Sequence, residues 1–418
     1  MQKFNSSIFL RFSQGIEFSF YAAIFFEIIY LIKLVGELNL DIIYYLAILV
    51  QHVALILIFY IVIKKNISTS VPKYIFIIYF TWLVYNVLNL IRGAYLSNTY
   101  LDWRFLVLTS FPFVFLSLVF YIGNNPHYLR RILIKTLKVF LPLSFVFIPL
   151  AFYTNKELFS RIVEPVTYLI LFIPYLKNKW KYLIISVALV SVFLVVDYRA
   201  NLIRIFLSFL ILSIYYFPKI FNLRLIKVSR VFLFFLPLII ASSALLFNYN
   251  VFNELSQNDS LRVTNKHGES ENILSDSRTF IYAEVIASVN NSGNWLFGEG
   301  ASGSYHSDVF YDRGGGTDGV RYASEVNILN LLLHGGLVGV FIHFMLLFSS
   351  SKLFIEQSNN RLCVMFGILF SSKWLMSFIE EFTRFGLNFF FFWLLLGFFS
   401  TYYLRRKSDD QLKKFLSF

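Results

Sequence analysis

Ten side chains in this sequence have the types needed to handle a phosphorylated centre. Six are cations: Arg199, Arg204, Arg278, Arg321, Lys373 and Arg384. Four can accept a proton: Asp197, His306, Glu325 and Glu381. A guanidinium is a planar fork that meets phosphate oxygens two at a time. A converging set would hold a diphosphate and stabilise it as a leaving group, while a carboxylate or imidazole beside an acceptor hydroxyl would serve as general base. No His, Asp or Glu grouping has metal-ligand spacing, so the cations take the part a metal plays elsewhere, and neither metal nor cofactor is expected. The single cysteine, Cys363, lies in an apolar run, which leaves no disulfide to form. The Gly314–Gly316 run lies between no strand and helix, so it is not a nucleotide-phosphate loop and reads instead as a mobile flap.

The immediate surroundings of these residues sharpen their roles. In the stretch from Val195 to Arg204, Asp197, Arg199 and Arg204 sit in a connection almost too short to be a loop. If a helix starts near Ala200, then Asn201, Arg204 and Ser208 share one face and Arg204 lies a turn inside it. The alternative is an Asp197–Arg199 or Asp197–Arg204 pair that only pins two helices. Arg278 stands in the first turn of an amphipathic helix expected between Asn272 and Asn291. That helix is capped by Asp276 or Ser277 and carries an apolar stripe through Phe280, Ala283, Ile286, Ala287 and Asn290. Trp295-Leu296-Phe297 reads as an interfacial anchor before a tight turn at Gly298 and Gly300. Ser324 suits an N-cap and Glu325 a first turn, followed by Asn327, Asn330 and His334 on one helical face. Lys373, Ser377, Glu380 or Glu381, and Arg384 recur at helical spacing further on, where an intrahelical Lys373–Glu380 or Lys373–Glu381 bridge is the plainer reading. Arg92, Asp102, Trp103 and Arg104 read as snorkelling and interfacial residues, and Lys156, Glu157, Arg161 and Glu164 as a balanced surface loop.

The elements that must position these residues are apolar spans. The chain has 418 residues, of which 57% are hydrophobic, 20% aromatic and only 15% charged. Repeated apolar runs near 20 residues suit a hydrocarbon slab roughly 30 Å thick, where a helix satisfies its own backbone. The expected class is an all-α polytopic integral membrane protein with about twelve spans: 16–35, 42–63, 74–91, 104–122, 132–153, 162–176, 182–197, 201–217, 231–248, 326–349, 361–379 and 385–403. The sixth is the shortest and carries Pro165 and Pro174, so it is tilted or re-entrant. Basic residues collect in alternate short connections such as Lys64, Lys65 and Lys73, or Lys177, Lys179 and Lys181, which puts both termini in the cytoplasm. The net charge of +13 is then topology and not affinity for nucleic acid. No cleavable leader is expected, since the first span carries Glu17 and Glu27. The chain divides into spans one to nine (1–248), a long polar loop on the outer side (249–325), and spans ten to twelve with a basic tail (326–418).

Three segments resemble the bacterial O-antigen polymerase and O-antigen ligase family. They are Ser277-Arg278-x-Phe280-Ile281-Tyr282, Trp295-Leu296-Phe297-Gly298-x-Gly300, and Asn327-x-x-Asn330-Leu331-Leu332-x-x-Gly335-Gly336-Leu337-Val338-Gly339. The short Asp197-Tyr198-Arg199-Ala200 connection and the late large loop are similar to that family as well. The resemblance implies a helical membrane glycosyltransferase. Such an enzyme moves an undecaprenyl-diphosphate-linked glycan onto a lipid-linked acceptor at the periplasmic face of the bacterial inner membrane, for lipopolysaccharide or another polysaccharide. Its expected partners are the two lipid-linked oligosaccharides and the bilayer, with a chain-length regulator and a flippase as further candidates. Glu325-Val326 stands where the ligase branch has a His-Asn pair, which favours a polymerase over a ligase or a capsule polymerase. Glu325 or His306 then takes the acceptor proton, and Arg199, Arg204, Arg278 and Arg321 hold diphosphate, with Asp197, Lys373, Glu381 and Arg384 in support. The alternative of another class is a lipid-linked oligosaccharide flippase, which places its charges near the midplane.

Overall fold

The computed structural model describes residues 6–36, 41–64, 70–153, 156–194, 199–247, 262–264, 270–272, 279–308, 319–381 and 385–417; for 6–13, 34–36, 150–153, 156–158, 199, 241–247, 262–264, 270–272 and 279 only the backbone is described. Asp197, Arg278, Arg384 and the Gly314–Gly316 run therefore lie outside the described residues, as does the Arg199 side chain.

The protein is helical. In chain order the helices are α1 (Ser6–Gly36), α2 (Asp41–Lys64), α3 (Lys73–Leu96), α4 (Tyr100–Gly123) and α5 (Pro126–Pro149). They continue as α6 (Lys156–Ile162), α7 (Val166–Phe172), α8 (Asn178–Leu194), α9 (Arg199–Tyr216) and α10 (Leu223–Phe247). After a segment with two small antiparallel pairs, Arg262–Thr264 with Ser270–Asn272 and Tyr305–His306 with Val320–Arg321, come α11 (Thr279–Ser292, between those pairs), α12 (Asn327–Glu356), α13 (Arg361–Met376) and α14 (Leu387–Ser400). Six stretches are long and apolar enough to cross a bilayer: Gln14–Lys33, Asp41–Lys64, Lys73–Leu96, Tyr100–Gly123, Pro126–Pro149 and Asn327–Glu356. That is the fold of an integral membrane protein.

Two of the shorter helices, α7 and α14, are interior. Every residue of α14 is buried, from Leu387 to Ser400. At 14 residues it is roughly 21 Å long, so it relies on its neighbours and not on lipid. Glycines set that packing. A Cβ on Gly397 would stand 2.0 Å from the Phe120 carbonyl oxygen, and one on Gly123 would stand 2.2 Å from that of Leu394, so α4 and α14 cross backbone to backbone. The weak sixth span is α7, wholly buried and followed by a single tight turn at Ile173–Tyr175. By contrast α2 turns Ile42, Leu49, Ile56 and Ile63 outward at intervals of seven, a lipid-facing stripe.

Three local expectations are corrected. Asn272 belongs to the paired strand Ser270–Asn272 and not to the amphipathic helix, which is described over Thr279–Ser292; its expected cap at Asp276 or Ser277 lies outside the described residues. Its buried stripe is Ile281, Val285 and Val289, whereas Ala283, Ile286, Ala287 and Asn290 are exposed. Tyr282, which donates to the Phe378 carbonyl at 2.7 Å, helps fix that phase. Ser324 is not the cap of α12. Val326 occupies that position with extended backbone, and the first free amides, of Asn327 and Ile328, donate instead to the carbonyls of Glu380 (3.2 Å) and Ser377 (2.9 Å) at the end of α13.

Candidate functional site

The head of α12 is where the structure gathers polar groups, and a break in that helix organises it. Gly336 has φ 58° and ψ −167° in the middle of an otherwise helical run. The groups freed by the break are taken by the turn after α11. Glu299 N–H donates to Leu333 O (2.7 Å), while Leu337 and Val338 N–H donate to Trp295 O (2.8 Å) and Leu296 O (3.1 Å). The approach is too close for any side chain: a Cβ on Gly336 would lie 2.4 Å from Leu296 backbone atoms. Arg92 locks the same turn from α3, donating to the carbonyls of Phe297 (2.8 Å) and Gly298 (2.6 Å). It is thus a structural clamp and not a snorkelling residue. Ala301 N–H donates to Asn89 O, and Ser110 and Ser302 hydroxyls donate to Ala301 O and Gly93 O. Leu296 and Phe297 remain exposed, as an interfacial anchor requires. Glu299 is half-buried in this turn, and burial raises its carboxyl above the ordinary value despite help from the Ser292 and Ser288 hydroxyls.

Behind the turn lies a polar cavity enclosing about 660 Å³, its open mouth included. Asn86, Asn89, Thr109, Asn327, Asn330 and His334 supply its polar wall, Phe105 an aromatic face, and Glu381 its one charged side chain. The Asn327, Asn330 and His334 face expected from spacing is this wall. Two of these groups are spent on scaffolding. Asn330 accepts from Ser324 N–H (2.7 Å) and donates to Ser324 O (3.0 Å), and His334 Nε2–H donates to Tyr322 O (2.9 Å). Asn327 differs. It is 0% exposed, and neither its amide oxygen nor its amide nitrogen has a partner. Leaving a buried polar group unpaired costs about 1–3 kcal/mol.

A second cleft, of about 450 Å³ with its mouth, adjoins the first and shares Glu381 with it. It is lined by Glu27, Arg161, Glu164 and Asn388 among others. At its base Arg204, 7% exposed, is paired with Glu164 through Nη1 and with Glu380 through Nε at 3.3 Å. Asn388 donates to the second Glu164 oxygen at 2.7 Å. Lys373 is buried in the same group, 5.3 Å from the Tyr168 ring centroid and in the fields of Glu380 and Glu164. The charges here nearly balance, since an uncompensated one at this depth would be costly.

The candidate residues therefore fall in separate settings. Arg204 and Lys373 are joined in the ion cluster, with Glu381 at the cleft above it. Arg204 takes Glu164 and Glu380 as partners, and Lys373 feels Glu380 as expected, with Glu380 beyond the end of α13 and shared with Arg204. Arg321 sits on the Tyr305–Arg321 pair, where Tyr305 also feels Glu284 and Glu325, and burial pushes the Tyr305 phenol up to about 12. His306 is exposed on the same pair beside Asp308 at 3.1 Å. Glu325 is exposed ahead of α12. Neither lines the two clefts. Sequence reasoning passed over Glu164, Asn86 and Asn89; two amides three residues apart on one face of an apolar helix were the available signal. Among the described residues no cluster of His, Cys, Asp and Glu could hold a metal. Comparison with family models, with curated proteins and with solved structures returns no match.

Proposed function

We propose that this chain is a membrane glycosyltransferase of the O-antigen polymerase kind. It transfers a growing undecaprenyl-diphosphate-linked glycan onto a new lipid-linked repeat unit at the periplasmic face of the bacterial inner membrane. In this reading it has twelve spans, cytoplasmic termini and a periplasmic loop at 249–325. One observation carries it: two of the three segments on which the family resemblance rests, the Trp295–Gly300 turn and the Asn327–Gly339 helix, interlock backbone to backbone, and the helix walls a polar cavity beside that junction. Glu381 is the carboxylate best placed to receive the acceptor proton, because it lines both that cavity and the charged cleft beside it. Arg161 is the cation lining that cleft, and Arg199 and Arg278 keep their diphosphate role on sequence grounds. The test is complementation of a deletion strain with Glu381→Gln, Arg199→Ala and Arg278→Ala separately, read as polysaccharide ladders. Long chains should fall about a hundredfold for Glu381→Gln, in the range of a lost general base. Normal ladders in all three would overturn the reading.

A lipid-linked oligosaccharide flippase is the second reading. It is favoured by the ion cluster around Arg204 and by the helix break at Gly336, both common in transporters. In a deletion strain a polymerase leaves single-repeat lipid outside the membrane, whereas a flippase leaves it inside.

A further inference from the structure

We infer that the polar cavity at the head of α12 is a binding site for one uncharged sugar ring, and that the Asn327 amide is the group that reads it. The choice of ligand class rests on the glycan reading above; the existence of a site rests on the cavity itself.

Both hydrogen-bonding ends of Asn327 are buried without a partner, in a wall where the neighbouring polar groups are already engaged. Gln51 and Asn124 also leave both amide ends unpaired, but of the three only Asn327 lines this cavity. Its backbone, by contrast, is fully used, because the amide donates to Glu380 O. The side chain is thus held in place with its oxygen acceptor and its two N–H donors unspent. A hydroxyl both donates and accepts, so a vicinal diol meets an amide with matching groups. Asn86, Asn89 and Thr109 add further neutral donors and acceptors on the wall formed by α3 and α4. Phe105 is held against Tyr322 (5.3 Å between ring centroids) and His334 (5.6 Å), and it gives an apolar surface for the C–H face of a ring. No lysine or arginine lines this cavity, and Glu381 would repel phosphate, so the diphosphate belongs elsewhere.

The experiment uses the full chain in lipid nanodiscs and saturation-transfer NMR. The probes are the methyl glycosides of glucose, galactose, N-acetylglucosamine and rhamnose, with inorganic pyrophosphate as competitor. At least one glycoside should give a saturable signal that pyrophosphate does not displace. Asn327→Leu should weaken it at least tenfold, and Thr109→Val about threefold. Because Asn327→Leu removes an unpaired amide and keeps its bulk, its thermal midpoint should equal or exceed that of the parent. Absence of any saturable glycoside, displacement by pyrophosphate, or equal binding by both variants would overturn the site. A lowered midpoint, or failure of Asn327→Leu to accumulate, would make Asn327 structural and overturn its role. No lipid-linked donor is present in this assay. Sugar binding with unchanged ladders in the complementation test would therefore defeat the polymerase reading alone, and lost ladders without sugar binding would defeat this one alone.

Discussion

Arg204 and Asn327 are buried to similar depth, at 7% and 0% exposed, beside clefts that share Glu381. Around Arg204 the charges are answered from within: Glu164 and Glu380 pair with it, Asn388 donates to Glu164, and Lys373 keeps the charge near balance. Around Asn327 the polymer supplies scaffolding for Asn330 and His334 and leaves one amide unanswered. A charge cannot be left waiting in a low-dielectric interior, whereas a neutral amide can. The contrast teaches that the depth of a polar group does not reveal its use. Whether its partners are already present is the better guide.

The contrast can be broken hardest at Arg204. Arg204→Met leaves Glu164 and Glu380 buried without their cation and should cost about 3–5 kcal/mol, measured by thermal unfolding in detergent. Adding Glu164→Gln and Glu380→Gln should recover most of that loss, and failure to recover would mean that the cluster does more than balance itself. Next comes the wall of the cavity at the head of α12. Gly336→Ala forces a side chain into left-handed backbone against Leu296 and should cost about 2 kcal/mol or more, from positive-φ strain plus the clash. A smaller loss would mean that the turn can retreat from α12. The mildest test is Glu299→Gln in that turn. Burial raises the Glu299 carboxyl, so the folded state binds its proton more tightly than the unfolded chain. Its contribution is fully present below the ordinary value of 4.5 and is lost as pH rises through the raised one. The glutamine variant should therefore lose less stability than the parent between acidic and neutral pH, and an identical pH profile would contradict the burial of this group.

Much of this was legible from residue types alone. Apolar runs marked the helices, and spacing put Asn201, Arg204 and Ser208 on one buried face and Asn327, Asn330 and His334 on another. Partners were not legible. Glu164 read as an ordinary loop acid because its attachment to Arg204 comes from a different part of the fold. Arg92 looked like a span-end cation because the carbonyls it clamps exist only once the Phe297–Gly298 turn is formed. On α11 two stripes were apolar enough to be buried, so docking against the helices below, and not periodicity, decided in favour of Ile281, Val285 and Val289. Asn327 was named only as one of a face; its lack of a partner is a property of the cavity and cannot be read from sequence.

The interlocked turn also bears on biogenesis. The ribosome delivers Arg92 first, then Trp295 to Glu299, and only afterwards Gly336. When the broken helix is laid down, the carbonyls and amides that will receive its freed backbone have already been synthesised. Hydrocarbon could not have substituted for them.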